Sequence, residues 1–382
     1  MAQEKVQYGT ISIVSIAHMI NDTYSNFLPQ FLPFLLTVTG FGYAKATFLL
    51  SVFTLSSSII QPMLGFMIDR QNRGWLLYIG TLWMTIFLSL MGLTTNYWYL
   101  VMLSLIAGMG TAAFHPQASS LMGEISGSKK GFMMSAFMAT GNLGYALSPL
   151  LFIPMLNYTG LKGTVYLLIP GVIASALLIK FVKVPVKAPH KSGSENENTL
   201  LVLRNAGPEL SKLIVVIVLR STSYMGLIAL LPSYFKTEKI SILTSGNLMF
   251  LMLFAGVLGG IFGGWISDFV GRKYVTVFSL LLSTLAFFGF FYTKSSISYI
   301  LLALGGALRM GSFSVTVVAA QEIIPRNRGM ASGISIGFSV GLGGMAVTLV
   351  GWFADMFGLG LAIQLLFILN SRQIITMLQI YQ

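Results

Sequence analysis

A chain of 382 residues that is 55% hydrophobic and only 9% charged, with a mean hydropathy of +0.80, lies outside the range of soluble domains, which carry about 25% charged residues. Its formal charge of +12 does not indicate nucleic acid, because few charges interrupt the apolar stretches and most basic residues collect in alternate loops. Without a cysteine there is no disulfide, and no thiolate to act as nucleophile or metal ligand.

At about 20 apolar residues per crossing, this length fits about twelve membrane helices joined by short loops. Spans are expected at 10–38, 44–68, 75–93, 97–123, 131–157, 166–182, 213–235, 243–266, 274–292, 297–323, 329–353 and 359–378. The first is too long for a signal peptide and lacks a small-residue cleavage site, so it is expected to stay as a span. Pro29, Pro33, Pro62, Pro116, Pro149 and Pro232 fall inside these stretches, as prolines commonly do in membrane helices.

The first span, ISIVSIAHMINDTYSNFLPQFLPFLL, carries titratable groups where lipid should be. His18 and Asp22 are four residues apart and share one helix face, with Asn21 and Asn26 nearby. A charge at membrane depth costs about 2.5–3.5 kcal/mol on insertion scales, so that face is expected to turn inward. The fourth span contains Gly-Met-Gly-Thr-Ala-Ala-Phe-His-Pro-Gln from Gly108 to Gln117, and the fifth Gly141-Asn142-Leu143-Gly144. The seventh and tenth each hold one arginine, Arg220 and Arg309.

Lys183 to Glu209 is the only long polar segment, and its Pro, Ser, Asn and charge content reads as a linker. It separates an N-terminal bundle, 1–182, from a C-terminal bundle, 210–382. The two repeat each other. Gly65-x-x-x-Asp69 recurs as Gly264-x-x-x-Asp268, Leu32-Pro33 as Leu231-Pro232, and Glu124 with Gly131 as Glu322 with Gly329, at offsets of 198 or 199. Three short matches at one spacing indicate two homologous halves of six helices. With the N-terminus inside, 16 of the 23 Lys and Arg residues fall on that side and 5 on the other, which puts both termini in the cytoplasm.

Gly264 to Lys273, in the loop between spans eight and nine, reads Gly-x-x-x-Asp-x-x-Gly-Arg-Lys. This resembles the loop signature of the major facilitator superfamily. Gly264, Asp268, Gly271, Arg272 and Lys273 match it, and in the first half Gly65 and Asp69 do, with basic residues at Arg70 and Arg73 and Asn72 where the second glycine would stand. The Phe114-His115-Pro116 run, His18 with Asp22, and the Gly-Asn-x-Gly segment are similar to the fosmidomycin resistance branch of that superfamily. The resemblance implies an all-α polytopic fold of twelve transmembrane helices in two pseudo-symmetric six-helix bundles, with spans one, four, seven and ten lining a polar path. The deep ionisable residues respect that division: His18 and Asp22 in span one, His115 in span four, Arg220 in span seven and Arg309 in span ten.

Asp22, His18 and His115 are the expected proton-coupling groups, since a carboxyl and imidazoles change charge with solvation and with neighbouring cations. Packed, hydrogen-bonded histidines, and a standing Asp22–Arg220 ion pair, are the alternatives. Arg220 and Arg309, charged at any relevant pH, suit an anionic substrate, with Asn142, Gln117 and Asn21 as polar contacts. Gly65, Asp69, Arg70, Gly264, Asp268, Gly271, Arg272 and Lys273 are the expected conformational gate. After Leu369 the run Asn370-Ser371-Arg372-Gln373 departs from an apolar span, so the twelfth helix is expected to be short or atypical.

The expected activity is proton-coupled secondary transport, an efflux antiport of a small organic anion or drug such as a fosmidomycin-like phosphonate, by alternating access. Uptake symport is the alternative. An intramembrane metal-dependent hydrolase built on His18, Asp22 and His115 is disfavoured, because no His-Glu-x-x-His and no second carboxylate cluster occurs. No Gly-Lys-Ser/Thr phosphate loop is present, so ATP is not the direct energy source. The chain is thus expected to be no enzyme and to carry no cofactor or resident metal. Its partners are an anionic small molecule, protons and the lipid bilayer, and it is expected to be a monomer in the plasma or bacterial inner membrane.

Overall fold

The structure, a computed structural model, describes residues 6–71, 74–127, 130–184, 207–293, 295–323 and 339–380. In hydrocarbon every backbone polar group must be satisfied within its own segment, and an apolar chain with no strand periodicity meets that demand as helices. They are α1 (Tyr8–Ser25), α2 (Phe27–Thr39), α3 (Tyr43–Gln71), α4 (Trp75–Met91), α5 (Tyr97–Ile125), α6 (Lys130–Thr159) and α7 (Leu168–Phe181), then α8 (Gly207–Thr237), α9 (Ile242–Val270), α10 (Arg272–Tyr292), α11 (Ile297–Ile323), α12 (Ser339–Phe357) and α13 (Leu359–Ile380). Caps define several starts. Asn96 accepts from the Trp98 and Tyr99 amides before α5, and Ser241 from the Thr244 amide before α9.

Among the described residues seven helical segments are long and apolar enough to cross a membrane, and Trp75–Met91, Ile297–Phe313, Gly341–Phe357 and Leu359–Leu369 are shorter apolar ones. The remaining expected span, 10–38, belongs to neither group. Instead of one continuous helix it forms α1 and α2, broken at Asn26, whose φ of −99° and ψ of 16° leave the helical range. The cause lies three residues on. Pro29 has no N–H to offer the Ser25 carbonyl and its ring crowds that oxygen, so the ladder stops there. At the break Asn26 is held by α6: its side-chain Nδ2 donates to the Tyr145 carbonyl at 2.9 Å, and its own carbonyl accepts from Ser148 Oγ at 2.9 Å.

The sixth span also differs from one regular helix, with a 3-10 stretch over Leu161–Leu167 leading into α7. At the C-terminus, α13 continues without a break through Asn370 to Gln373 and on to Ile380. The Gln373 side chain is buried and donates to the Leu369 carbonyl at 3.1 Å, so the polar run does not end the helix. Most of the linker, and the recurring Gly329, lie outside the described residues.

Contacts divide the chain into two compact units, one of Met1–Phe41 and Val52–Lys191, the other of Gly42–Ser51 and Ser192–Gln382. In the first, α1 packs on α5, α6 and α7, and α4 on α5 and α7. Val14, Ala17, Phe114, Ala118, Phe137 and Leu178 form its buried core. In the second, α8 packs on α12 and α13, and α9 on α11. Here the first residues of α3 are held by α12. The Asp355 carboxylate accepts from the Tyr43 and Ala44 amides at 2.6 and 2.8 Å, and Ser51 Oγ donates to the Gly344 carbonyl at 2.5 Å.

Candidate functional site

In the first unit α1 and α5 bring three titratable side chains together. Asp22 Oδ2 lies 3.3 Å from His18 Nε2 and Asp22 Oδ1 3.2 Å from His115 Nε2, so one carboxylate bridges two imidazoles. The His18–Asp22 contact follows from their spacing of one helical turn. His115 arrives from a helix that sequence spacing does not relate to α1.

His18 is fixed from three sides. Its ring stacks on Phe137 at 4.0 Å between centroids and on Phe114 at 6.1 Å, and its Nδ1 is 2.9 Å from the Phe137 carbonyl oxygen. A carbonyl only accepts, so Nδ1 carries a proton. His18 Nε2 then meets the carboxylate as a hydrogen bond only if it, or Asp22, carries a second proton. The cluster is reachable: His18 is 3% exposed, while Asp22 and His115 are 17% and 23% exposed.

Gly141 on α6 makes the close approach possible. A Cβ at this position would lie 2.3 Å from His18 Cε1 and 2.5 Å from Asp22 Oδ2, inside both side chains. The sequence offered this glycine only as part of a motif, and its role appears only once α6 is laid against α1. Farther along the same seam, Thr23 Oγ1 donates to the Gly144 carbonyl at 3.0 Å.

The other polar residues of the first unit do not join the triad as contacts. Asn21 is fully buried and gives its Nδ2 to Thr81 Oγ1 on α4 at 3.1 Å, while its Oδ1 has no hydrogen-bond partner among the described residues. Gln117 is buried on α5, two residues past His115, with its Oε1 likewise unsatisfied among the described residues. Asn142 is exposed on α6.

In the second unit Arg220 on α8 and Arg309 on α11 are 3% and 1% exposed. Arg309 Nη2 donates to the Arg220 carbonyl at 2.7 Å, and the Arg220 guanidinium lies 4.4 Å above the Phe313 ring. Arg220 Nε and Nη2, and Arg309 Nε and Nη1, have no hydrogen-bond partner, and no carboxylate lies within 4 Å of either guanidinium, among the described residues. Tyr224, one turn beyond Arg220 on α8, shares its helix face. Buried charge without a counter-charge is expensive.

Of the expected gate, the C-terminal copy is described. Gly271 ends α9 at φ 97° and ψ 148°, backbone open essentially to glycine alone, and α10 begins at Arg272. Arg272 Nη1 bridges back to Asp268 Oδ1 at 2.7 Å and Ser267 Oγ at 2.5 Å, tying the two helix ends. Lys273 follows, half-buried, and Gly264 lies two turns before the break. Gly65, Asp69 and Arg70 lie in the last turns of α3, and their side chains are outside the described ones.

Comparison with known proteins agrees with this architecture. The model of the Major Facilitator Superfamily matches residues 14–346. The chain is 26% identical over 358 residues to the fosmidomycin resistance protein of Escherichia coli (strain K12), covering 92% of this chain and 87% of that one. It is 28% identical over 365 residues to YfnC, an uncharacterized transporter of the same type from Bacillus subtilis (strain 168), covering 92% and 88%. Among solved structures, the nucleoside transporter NupG superposes with a TM-score of 0.82 over 98% of this chain and 99% of that one, at 12% identity, which shows the shared twelve-span fold. A bacterial homologue of the lysosomal transporter Spinster does so with a TM-score of 0.79 at 13% identity, over 98% and 95%. These relatives are transporters and not enzymes. With a family match over most of its length and the fold to go with it, this chain is a multi-pass membrane transporter that belongs to the Major Facilitator Superfamily.

Proposed function

We propose that this transporter couples proton movement to the export of a small organic anion by alternating access, with Asp22, His18 and His115 as the proton-carrying groups. The observation that carries this reading is the bridging carboxylate. One partly open Asp22 between two imidazoles needs protons for its contacts to hold, so its charge state can bias one conformation over another. The two buried arginines support an anionic cargo, and the printed name of the Escherichia coli relative makes a phosphonate such as fosmidomycin the first compound to try. In this reading the bundles 1–182 and 210–382 are the moving parts, Asn142, Gln117 and Asn21 are candidate polar contacts to cargo, and both termini are cytoplasmic. The Asp268–Arg272 tie and its N-terminal counterpart at Gly65, Asp69 and Arg70 serve as the gate.

Vesicle flux under an imposed proton gradient tests it. Asp22→Asn is expected to abolish uphill movement while leaving membrane insertion intact, and Arg309→Gln to weaken anion binding with proton coupling preserved. Undiminished proton-driven accumulation in Asp22→Asn would remove Asp22 from the mechanism. Comparing inverted with right-side-out vesicles separates antiport from uptake symport, since the same proton site can serve either direction.

A further inference from the structure

We propose that the His18–Asp22–His115 cluster binds one divalent transition-metal ion of the zinc, cobalt and nickel class, through two imidazole Nε2 atoms and one carboxylate oxygen, in exchange for two protons. The same three residues are disfavoured from sequence as the centre of a hydrolase; the proposal is binding of the ion, without hydrolysis.

Geometry is the first support. Ligands about 2.0–2.1 Å from a tetrahedral zinc stand about 3.3 Å apart, and here His18 Nε2 lies 3.3 Å from Asp22 Oδ2 while His115 Nε2 lies 3.2 Å from the other oxygen, Oδ1. All three donor atoms lie within 4.8 Å of one another. The donor set of two nitrogens and one oxygen suits these metals and not magnesium or calcium, and a fourth position is left for water or cargo.

The surroundings give the second support. His18 turns Nε2 toward Asp22 because its Nδ1 proton is held by the Phe137 carbonyl, the outer hydrogen bond that metal-binding histidines usually make. Gly141 keeps the space between His18 and Asp22 free of a side chain.

An imidazole binds metal only through a nitrogen that carries no proton, so uptake of the ion competes with protons at the two Nε2 atoms. Other titratable groups stand on the elements packed against α1. Glu124 is nine residues beyond His115 on α5, Lys180 is in the last turn of α7, Tyr78 on α4 donates to the Val182 carbonyl, and Tyr24 on α1 donates to the Leu167 carbonyl. Tyr145 on α6 is four residues beyond Gly141.

The test uses the full chain in lipid nanodiscs, purified on a tag without histidines and carrying His190→Asn, so that the cluster holds its only histidines. Cobalt(II) is titrated while its visible ligand-field band and the protons released into weak buffer are followed. One ion per chain is expected, with release approaching two protons and an apparent affinity rising up to about 100-fold per pH unit where both imidazoles are protonated. Asp22→Asn and, separately, the part-exposed His115→Gln are each expected to abolish the band in monodisperse, folded protein, while Glu238→Gln leaves it unchanged. Absence of saturable binding at millimolar cobalt, or binding that survives both substitutions, overturns the proposal. This measurement needs no flux, so proton coupling and metal binding stand or fall separately.

Discussion

Asp22 is held by what surrounds it more than by its own helix: one imidazole a turn away, a second from α5, and on α6 a glycine that leaves room for both. That crowding makes Gly141 a sharper probe of the site than any titratable residue. Gly141→Ala inserts a Cβ within 2.6 Å of three atoms of His18 and Asp22, and forced packing of this kind costs about 1–3 kcal/mol. The expected result is a lower melting temperature together with loss of proton-driven flux. Gly123→Ala, where nothing lies within 4 Å, is expected to leave both unharmed and supplies the control. Equal effects from the two substitutions would mean that Gly141 matters only as a helix residue. The His18–Asp22 half of the cluster was legible from i,i+4 spacing. His115 could be nominated from its depth in a span but not paired, because pairing across helices depends on rotation and crossing angle, which one sequence does not encode locally.

At the level of elements, two interruptions shape the molecule and only one was read from sequence. The Gly-Arg-Lys turn between α9 and α10 announces itself, since Gly271 adopts backbone that other residues avoid. Its neighbouring ion pair is a different matter. Asp268 is 62% exposed, and exposed pairs contribute about 0–1 kcal/mol, so the Asp268–Arg272 tie adds little to stability. Gly271→Ala, with a backbone strain of about 1–3 kcal/mol, is therefore expected to lower the melting temperature clearly, and Asp268→Asn hardly at all. If Asp268→Asn nonetheless slows flux, the pair acts in the conformational cycle; if both melting and flux are unmoved, it has no part in gating. The other interruption, between α1 and α2, was missed as a break although its cause stands in the sequence. Pro29 deprives the Ser25 carbonyl of its donor, and the consequence becomes visible only when Tyr145 and Ser148 are found engaging Asn26 in its place.

Across the whole molecule, the twelve spans, the all-helical class and the internal repeat followed from hydropathy and motif spacing, because lipid leaves few options for a buried backbone. Topology is open to direct measurement. The surplus of basic residues on one side leads to the expectation that reporters fused at either end will register as cytoplasmic, and a reporter active only when exported, at either end, would refute it. What hydropathy could not show is that the first residues of α3 pack with the second unit while the rest of that helix packs with the first. Nor could it show that an aspartate 311 and 312 positions away would complete the helix start. Hybrid proteins that exchange C-terminal segments between relatives thus carry a hidden dependency. A donor sequence without an acceptor where Asp355 stands would leave the Tyr43 and Ala44 amides bare, so such a graft could impair a helix that it never altered.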